Sequence, residues 1–133
     1  WIFFLSIALL IFNLTAFAQD AVLQDQIFIV KVLQKVPGDK PINTQGEELI
    51  ILGNGLSSSF SKKEGFLSAA IGLQNEEQAT PGAVTFTAAC TNARNCALKW
   101  TCTIKDDKIE GKAEKFFTGK LAGEYIFSGV KKK

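Results

Sequence analysis

The amino-acid sequence predicts an all-β domain of about eight antiparallel strands, arranged as an up-and-down barrel or a strongly curled sheet. The chain of 133 residues is long enough for one domain. Beyond an apolar start, short runs of alternating apolar and polar residues are separated by Gly, Pro, Asn and Asp. No long amphipathic helical pattern interrupts them. A two-sheet β-sandwich is the alternative architecture.

The apolar start is typical of a secretory signal peptide with a helical core. Residues 1–18 carry no charge, are almost wholly apolar, and end in Ala16-Phe17-Ala18. A short apolar run closed by an A-x-A site is the pattern that signal peptidase cleaves. Neither Met nor a basic residue precedes the run, so we expect the signal to be truncated at its start.

Cleavage after Ala18 leaves residues 19–133 as a single β domain, which we expect to be secreted or periplasmic. An uncleaved membrane anchor is the alternative, since 18 apolar residues are just enough to cross a bilayer. No Cys lies near Ala18, so a lipid-anchored lipoprotein is not expected, and after cleavage no membrane span remains.

The charge balance argues against nucleic acid as a partner. Fifteen Lys and Arg against 13 Asp and Glu give a net charge of +2. A nucleic-acid binder normally shows a strong basic excess on one face. The basic run 131–133 is expected to be a solvated tail.

The predicted strands are short and follow one another closely along the chain. The longest separator is a polar loop at 74–82. The eight predicted strands are 26–34, 47–52, 56–61, 66–73, 83–90, 96–105, 108–117 and 123–130.

Strict alternation in the run 96–105 predicts which side of the strand is buried. Its even positions are apolar, and its odd positions include Lys99 and Lys105. Folding 83–90 onto it over a loop at 91–95 predicts a hairpin with apolar pairs on one face. The predicted pairs are Cys90 with Cys96, Ala88 with Leu98, Phe86 with Trp100, and Val84 with Cys102.

A second hairpin is predicted to turn at Asp106-Asp107. It places large residues opposite small ones, as packing against an aromatic side chain requires. The predicted pairs are Ile104 with Ile109, Cys102 with Gly111, and Trp100 with Ala113.

The cysteines predict one structural disulfide and one buried thiol. Export places them where disulfides persist, and Cys90 faces Cys96 in the predicted hairpin. Cys102 is expected to be buried and inert. A zinc site is rejected because Cys96 and Cys102 lie roughly 20 Å apart on one strand. Without any His, we expect no metal and no cofactor.

The inward aromatic side chains have two interpretations. They either fill the barrel as a solid core or line a pocket for one small apolar ligand. The solid core is the favoured interpretation, and the small residues Ala88, Gly111 and Ala113 around Trp100 leave room for a pocket as the alternative. The predicted ligand-binding residues are Trp100, Phe86, Ala88, Ala113, Tyr125 and Phe127.

The sequence therefore favours a non-catalytic exported β-barrel that binds a small apolar ligand or a protein surface. An envelope or inhibitor-type protein interaction module is a second hypothesis. A hydrolase that uses paired carboxylates without His is a third, and the absence of His argues against it. Its candidate residues are Asp106, Asp107, Glu110, Glu114 and Glu124.

Several motifs resemble those of a group of small exported bacterial proteins. They include Gly38-Asp39-Lys40, Ser57-Ser58-Ser59-Phe60, Trp100-x-Cys102-x-Ile104-Lys105, Asp107-Lys108-Ile109-Glu110-Gly111 and Tyr125-Ile126-Phe127-Ser128-Gly129. The resemblance extends over about residues 26–131. It implies a small lipocalin-like antiparallel barrel or sheet, and it supplies no catalytic residues.

Overall fold

The computed structural model describes residues 23–73 and 82–133. The predicted signal peptide lies outside the described residues, as does most of the predicted loop at 74–82. The elements are β1 (Gln26–Lys35), β2 (Ile42–Leu52), β3 (Gly55–Ser58), α1 (Ser59–Lys62), β4 (Ala69–Leu73), β5 (Ala83–Thr91), β6 (Cys96–Lys105), β7 (Lys108–Phe117) and β8 (Lys120–Lys131).

The strands form a closed antiparallel barrel. Each strand pairs with the next one along the chain, and β8 pairs with β1 from Phe28–Lys131 to Lys35–Glu124. The predicted up-and-down barrel is confirmed, and the β-sandwich alternative is wrong. Closure matters for function because it removes the unpaired strand edges to which another chain can add.

The predicted strand 56–61 is wrong in its second half. β3 ends at Ser58, where the chain turns into the single helical turn of α1. The Ser58 hydroxyl accepts a hydrogen bond from the backbone N–H of Ser61 at 2.9 Å, and the Ser61 hydroxyl accepts one from the N–H of Ser58. This reciprocal capping box starts a helix. Leu56 and Phe60, four residues apart, fit a helical period as well as a strand.

Three other strands begin at least three residues away from their predicted starts. β4 begins at Ala69 rather than at 66, β2 begins at Ile42 rather than at 47, and β8 begins at Lys120 rather than at 123. The early part of β2 lacks alternation because the register of the β1–β2 pair shifts between Val30 and Val32. Gly46, with a φ of 72°, provides the left-handed backbone conformation at this irregularity.

The predicted β5–β6 register is wrong by two residues. Cys90 lies opposite Leu98, Phe86 opposite Cys102, and Ala88 opposite Trp100. Asn92 sets this register, because its side-chain oxygen accepts hydrogen bonds from the N–H groups of Arg94 and Cys96, both at 3.0 Å. The turn is therefore shorter than the predicted loop.

The three-stranded meander 83–113 is nevertheless buried on the predicted side. All three predicted pairs across the Asp106-Asp107 turn are confirmed. Trp100 is only 1% exposed, and Phe86 and Ile109 are equally buried. These side chains join those of the other strands in one continuous core.

Two glycines allow the strands to curl tightly enough to close. A Cβ on Gly129 would lie 1.9 Å from the carbonyl oxygen of Ile29 and 2.6 Å from the Cα of Val30. A Cβ on Gly111 would lie 2.2 Å from the carbonyl oxygen of Thr101. Any side chain at these positions would push neighbouring backbones apart.

We predict that Gly129→Ala lowers the free energy of unfolding by about 1–3 kcal/mol, because the added methyl group overlaps backbone atoms that cannot rotate away. Gly72→Ala is the matched control, since a Cβ there meets no atom closer than 3.8 Å. Its effect should stay within about 0.5 kcal/mol. Urea unfolding of both variants checks this, and equal stabilities for the two would contradict the role of Gly129 in closure.

Candidate functional site

The structure brings the six predicted ligand-binding residues together on one wall of the barrel. Ala88, Trp100, Ala113 and Tyr125 lie opposite one another in a single row across β5 to β8. Phe86 and Phe127 belong to the adjacent row, separated by Cys102 and Gly111. All six side chains are buried.

Phe60 enters this wall from outside the sheet. Its ring centroid lies 5.6 Å from that of Trp100, 5.1 Å from Tyr125 and 6.1 Å from Phe127. Trp100 and Phe127 are themselves 5.7 Å apart. The tilted rings pack at the distances that aromatic pairs prefer. The space in front of Trp100 is therefore occupied by a side chain that no strand supplies.

Phe60 belongs to residues 59–66, which we call the cover segment. The segment runs from α1 through a tight turn in which the N–H groups of Gly65 and Phe66 donate to the carbonyls of Lys62 and Ser61. Phe66 is buried along with Phe60. The cover segment thus carries two apolar side chains into the core.

Glu64 anchors the cover segment to the barrel wall through polar contacts. Its Oε1 lies 2.7 Å from Lys115 Nζ, and its Oε2 accepts a hydrogen bond from the Tyr125 hydroxyl. The Asn92 side chain donates to the Glu64 carbonyl at 3.0 Å. The Lys115 side chain is only 18% exposed. These contacts connect the segment to β7, β8 and the β5–β6 turn.

Sequence reasoning missed this polar anchor, although one signal for it was present. Lys115 is an odd-numbered residue of β7, like the inward-facing Ile109, Gly111 and Ala113. It lies opposite Leu98 of β6. A lysine on the inward face near the end of a strand indicates a polar or acidic partner at the open end of the barrel. The partner itself comes from the cover segment, whose position no local pattern specifies.

The buried indole N–H of Trp100 interacts with the thiol of Cys90. Burial raises the pKa of that thiol, and a hydrogen bond with the Trp100 side chain opposes the rise. Trp100 Nε1 otherwise meets no polar atom of the described residues at hydrogen-bond geometry.

The predicted Cys90–Cys96 disulfide is not formed in this structure. All three cysteines are free thiols. Cys90 and Cys96 share a face but are diagonal neighbours, because Cys90 lies opposite Leu98. Diagonal neighbours in a sheet are about 7–8 Å apart, whereas a disulfide needs Cβ atoms within about 4.5 Å. Cys102 is fully buried as expected, and burial raises its thiol pKa to about 12.

The candidate carboxylates do not converge in a cleft. Asp106 and Asp107 form an exposed turn, and Glu110 is exposed on the outer face. Glu114 and Glu124 lie opposite each other on that outer face, with Lys112 3.8 Å from Glu114. Within the described part of the chain, no three potential metal ligands cluster.

Two adjoining grooves run over the outside of the barrel. The larger, about 850 Å³, includes Ile29 and Val130, and the second, about 730 Å³, includes Leu33 and Ile126. Val130 is 52% exposed. The grooves share Lys31, Thr103, Glu110 and Ser128.

Comparison with protein-family models, curated proteins and solved structures found no match to this chain. The resemblance to small exported lipocalin-like proteins therefore stays a prediction. Among residues 23–73 and 82–133, the structure contains no helix that is long and apolar enough to span a bilayer.

We predict that the stability advantage of the wild type over Cys102→Ala decreases as the pH rises above 9. The folded-state pKa of about 12 lies above the ordinary thiol pKa of 9.0, so the unfolded state loses its proton first. The contribution of Cys102 is intact below pH 9 and declines towards pH 12. At pH 10 it should be about 1 kcal/mol smaller than at pH 7. Urea unfolding of both proteins across this range measures the difference, and a constant difference would contradict the assignment.

Proposed function

We propose that this protein is an exported, non-catalytic β-barrel that binds a small apolar molecule in the space now filled by Phe60. The proposal rests on which part of the chain contributes the Phe60 ring. It completes an aromatic cluster of strand residues, yet it comes from the cover segment and not from the sheet. Withdrawing it would open a space lined by Trp100, Tyr125 and Phe127 without breaking any strand pairing.

The energetics of such an exchange are moderate. Exposing one buried Phe side chain costs about 1.5–3 kcal/mol. A ligand that buries a similar apolar area against Trp100 recovers this cost. Enclosed apolar cavities of about 150 Å³ stay dry and bind aromatic molecules such as benzene. A ligand at least as large as the Phe60 ring is therefore required.

The cover segment supplies a route to this space. β3 pairs with β4 only at Gly55–Ala70 and Leu56–Ala69, whereas β6 and β7 pair along their whole lengths. The cover segment connects these two weakly paired strands. Moving the cover segment breaks few backbone hydrogen bonds beyond its own, so the barrel opens most easily between β3 and β4.

Binding of a protein partner is the second candidate function, and the outer grooves favour it. Exposed Val130 and Ile126 lie in grooves that also include charged side chains such as Lys31. Exposed apolar side chains rimmed by charge are typical of protein interaction surfaces. In that case the solid core has only a structural role.

We predict that Phe60→Ala binds bromobenzene at least about tenfold more tightly than the wild type, because the displacement cost of the Phe60 ring is removed. Contact with bromine quenches indole fluorescence. A chain that begins at Gln19 has Trp100 as its only tryptophan. A fluorescence titration therefore reports binding at this wall.

Phe28→Ala is the matched control for this titration. Phe28 is also fully buried, but its ring lies outside the cluster around Trp100. It should leave the quenching curve close to that of the wild type. Absence of saturable quenching in both the wild type and Phe60→Ala would refute an internal site and leave the outer grooves as the better candidate.

We predict that Glu64→Gln speeds association of the same probe by roughly twofold to fivefold, because a partly exposed ion pair contributes up to about 1 kcal/mol to holding the cover segment closed. Stopped-flow quenching of Trp100 measures the rate. Glu110→Gln removes a carboxylate of the outer face and serves as the control. Equal rates in the two variants would show that the probe enters elsewhere.

A further inference from the structure

The outer surface of β1, β8 and β7 carries three cross-strand rows of side chains, which we call the β8 face. The middle row is polar, with Ser128 of β8 between Lys31 of β1 and Glu110 of β7. The rows on either side are aliphatic on β1 and β8 and carry a lysine on β7. They consist of Ile29, Val130 and Lys108, and of Leu33, Ile126 and Lys112. β8 is therefore the centre line of this face.

The β8 face coincides with the two outer grooves, which share the residues of its middle row. On the centre line, Val130 is 52% and Ile126 is 38% exposed, although both are large aliphatic side chains. Exposed apolar side chains on both sides of a polar row are typical of a surface that a protein covers. The charges of the face indicate which protein fits it.

Lys31 and Glu110 carry opposite charges on opposite sides of the centre line. Both side chains are exposed, and two strand spacings separate their backbones by about 10 Å. Neither forms an ion pair with another described residue. A surface with a positive charge on one side of an axis and a negative charge on the other is complementary to a copy of itself.

We propose that two copies of this chain associate through the β8 face, about a two-fold axis that runs along β8. Rotation about this axis exchanges the β1 side with the β7 side, so Lys31 of each copy meets Glu110 of the other. Val130 and Ile126 lie on the axis and pack against their own counterparts. The contact is isologous, as most homodimer interfaces are.

The two lysines of β7 fit this arrangement. The rotation places Lys108 above the partner's Ile29 and Lys112 above the partner's Leu33. A lysine lays its methylene groups along an aliphatic side chain and keeps its ammonium group in water. Lys112 also lies 3.8 Å from Glu114 of its own chain. The contact therefore covers aliphatic surface without burying an unpaired charge.

The dimer is expected to be weak because the β8 face is small. It is three strands wide, whereas stable interfaces usually bury about 1,600 Å² in total. We expect a dissociation constant between roughly 10 μM and 1 mM. The inference concerns the outside of the barrel, so it stands or falls independently of the internal site.

Charge reversal on the β8 face tests the proposal. Lys31→Glu and Glu110→Lys each bring like charges together in both polar contacts of the dimer, so each should raise its dissociation constant at least about tenfold. An equimolar mixture of the two variants should regain the wild-type association, because every contact then joins a lysine to a glutamate. Lys40→Glu makes the same charge change on an exposed turn outside the grooves and should stay within about twofold of the wild type.

Sedimentation equilibrium at protein concentrations up to about 1 mM gives these dissociation constants. A reductant excludes dimers linked through the free thiols. A wild type that stays monomeric overturns the proposal and leaves the outer grooves to a different protein. A wild-type dimer that neither reversal weakens more than Lys40→Glu does would use another surface, and the proposal would be wrong. A mixture that fails to regain association would exclude the two-fold arrangement.

Discussion

Burial of the Trp100 indole depends on the small residues that flank it in the sheet. Ala88 and Ala113 lie directly opposite Trp100 on the two neighbouring strands, so the ring spreads over positions where larger side chains would collide with it. Tyr125 continues the row, and Phe60 packs against both rings. A large side chain at either alanine would displace the indole and with it the whole aromatic cluster.

The sequence predicted the buried face of the meander correctly but not the register of its first hairpin, and both results have one cause. Side chains alternate with a period of two, so a slip of two residues keeps every residue on its face. Apolar Phe86 is equally well buried opposite Trp100 or opposite Cys102. The choice depends on the turn, where Asn92 binds two backbone N–H groups. The predicted disulfide depended on that choice, and it failed with the register.

Only the part of the candidate site that lies on strands could be predicted, because the prediction used the alternation of side chains between the two faces of a strand. This alternation identifies the inward residues of β5 to β8, and it places Lys115 among them. It does not apply to a segment that leaves the sheet, so the position of Glu64 could not be obtained from it. The contact between the Trp100 indole and the Cys90 thiol is likewise a property of packing, since it depends on which atoms approach the nitrogen.

The proposed internal binding site is compatible with the solid core of this barrel, because different parts of the chain form the barrel wall and fill its interior. The strand ladders hold the wall together through backbone hydrogen bonds, and they remain intact whether or not Phe60 is present. The cover segment fills the space and is held by the Glu64 contacts with Lys115 and Tyr125. Tyr125 takes part in both, since its ring contacts Phe60 and its hydroxyl holds Glu64. Under the proposed function, a molecule that displaces Phe60 would also disturb the Tyr125–Glu64 contact, because the same tyrosine makes both contacts.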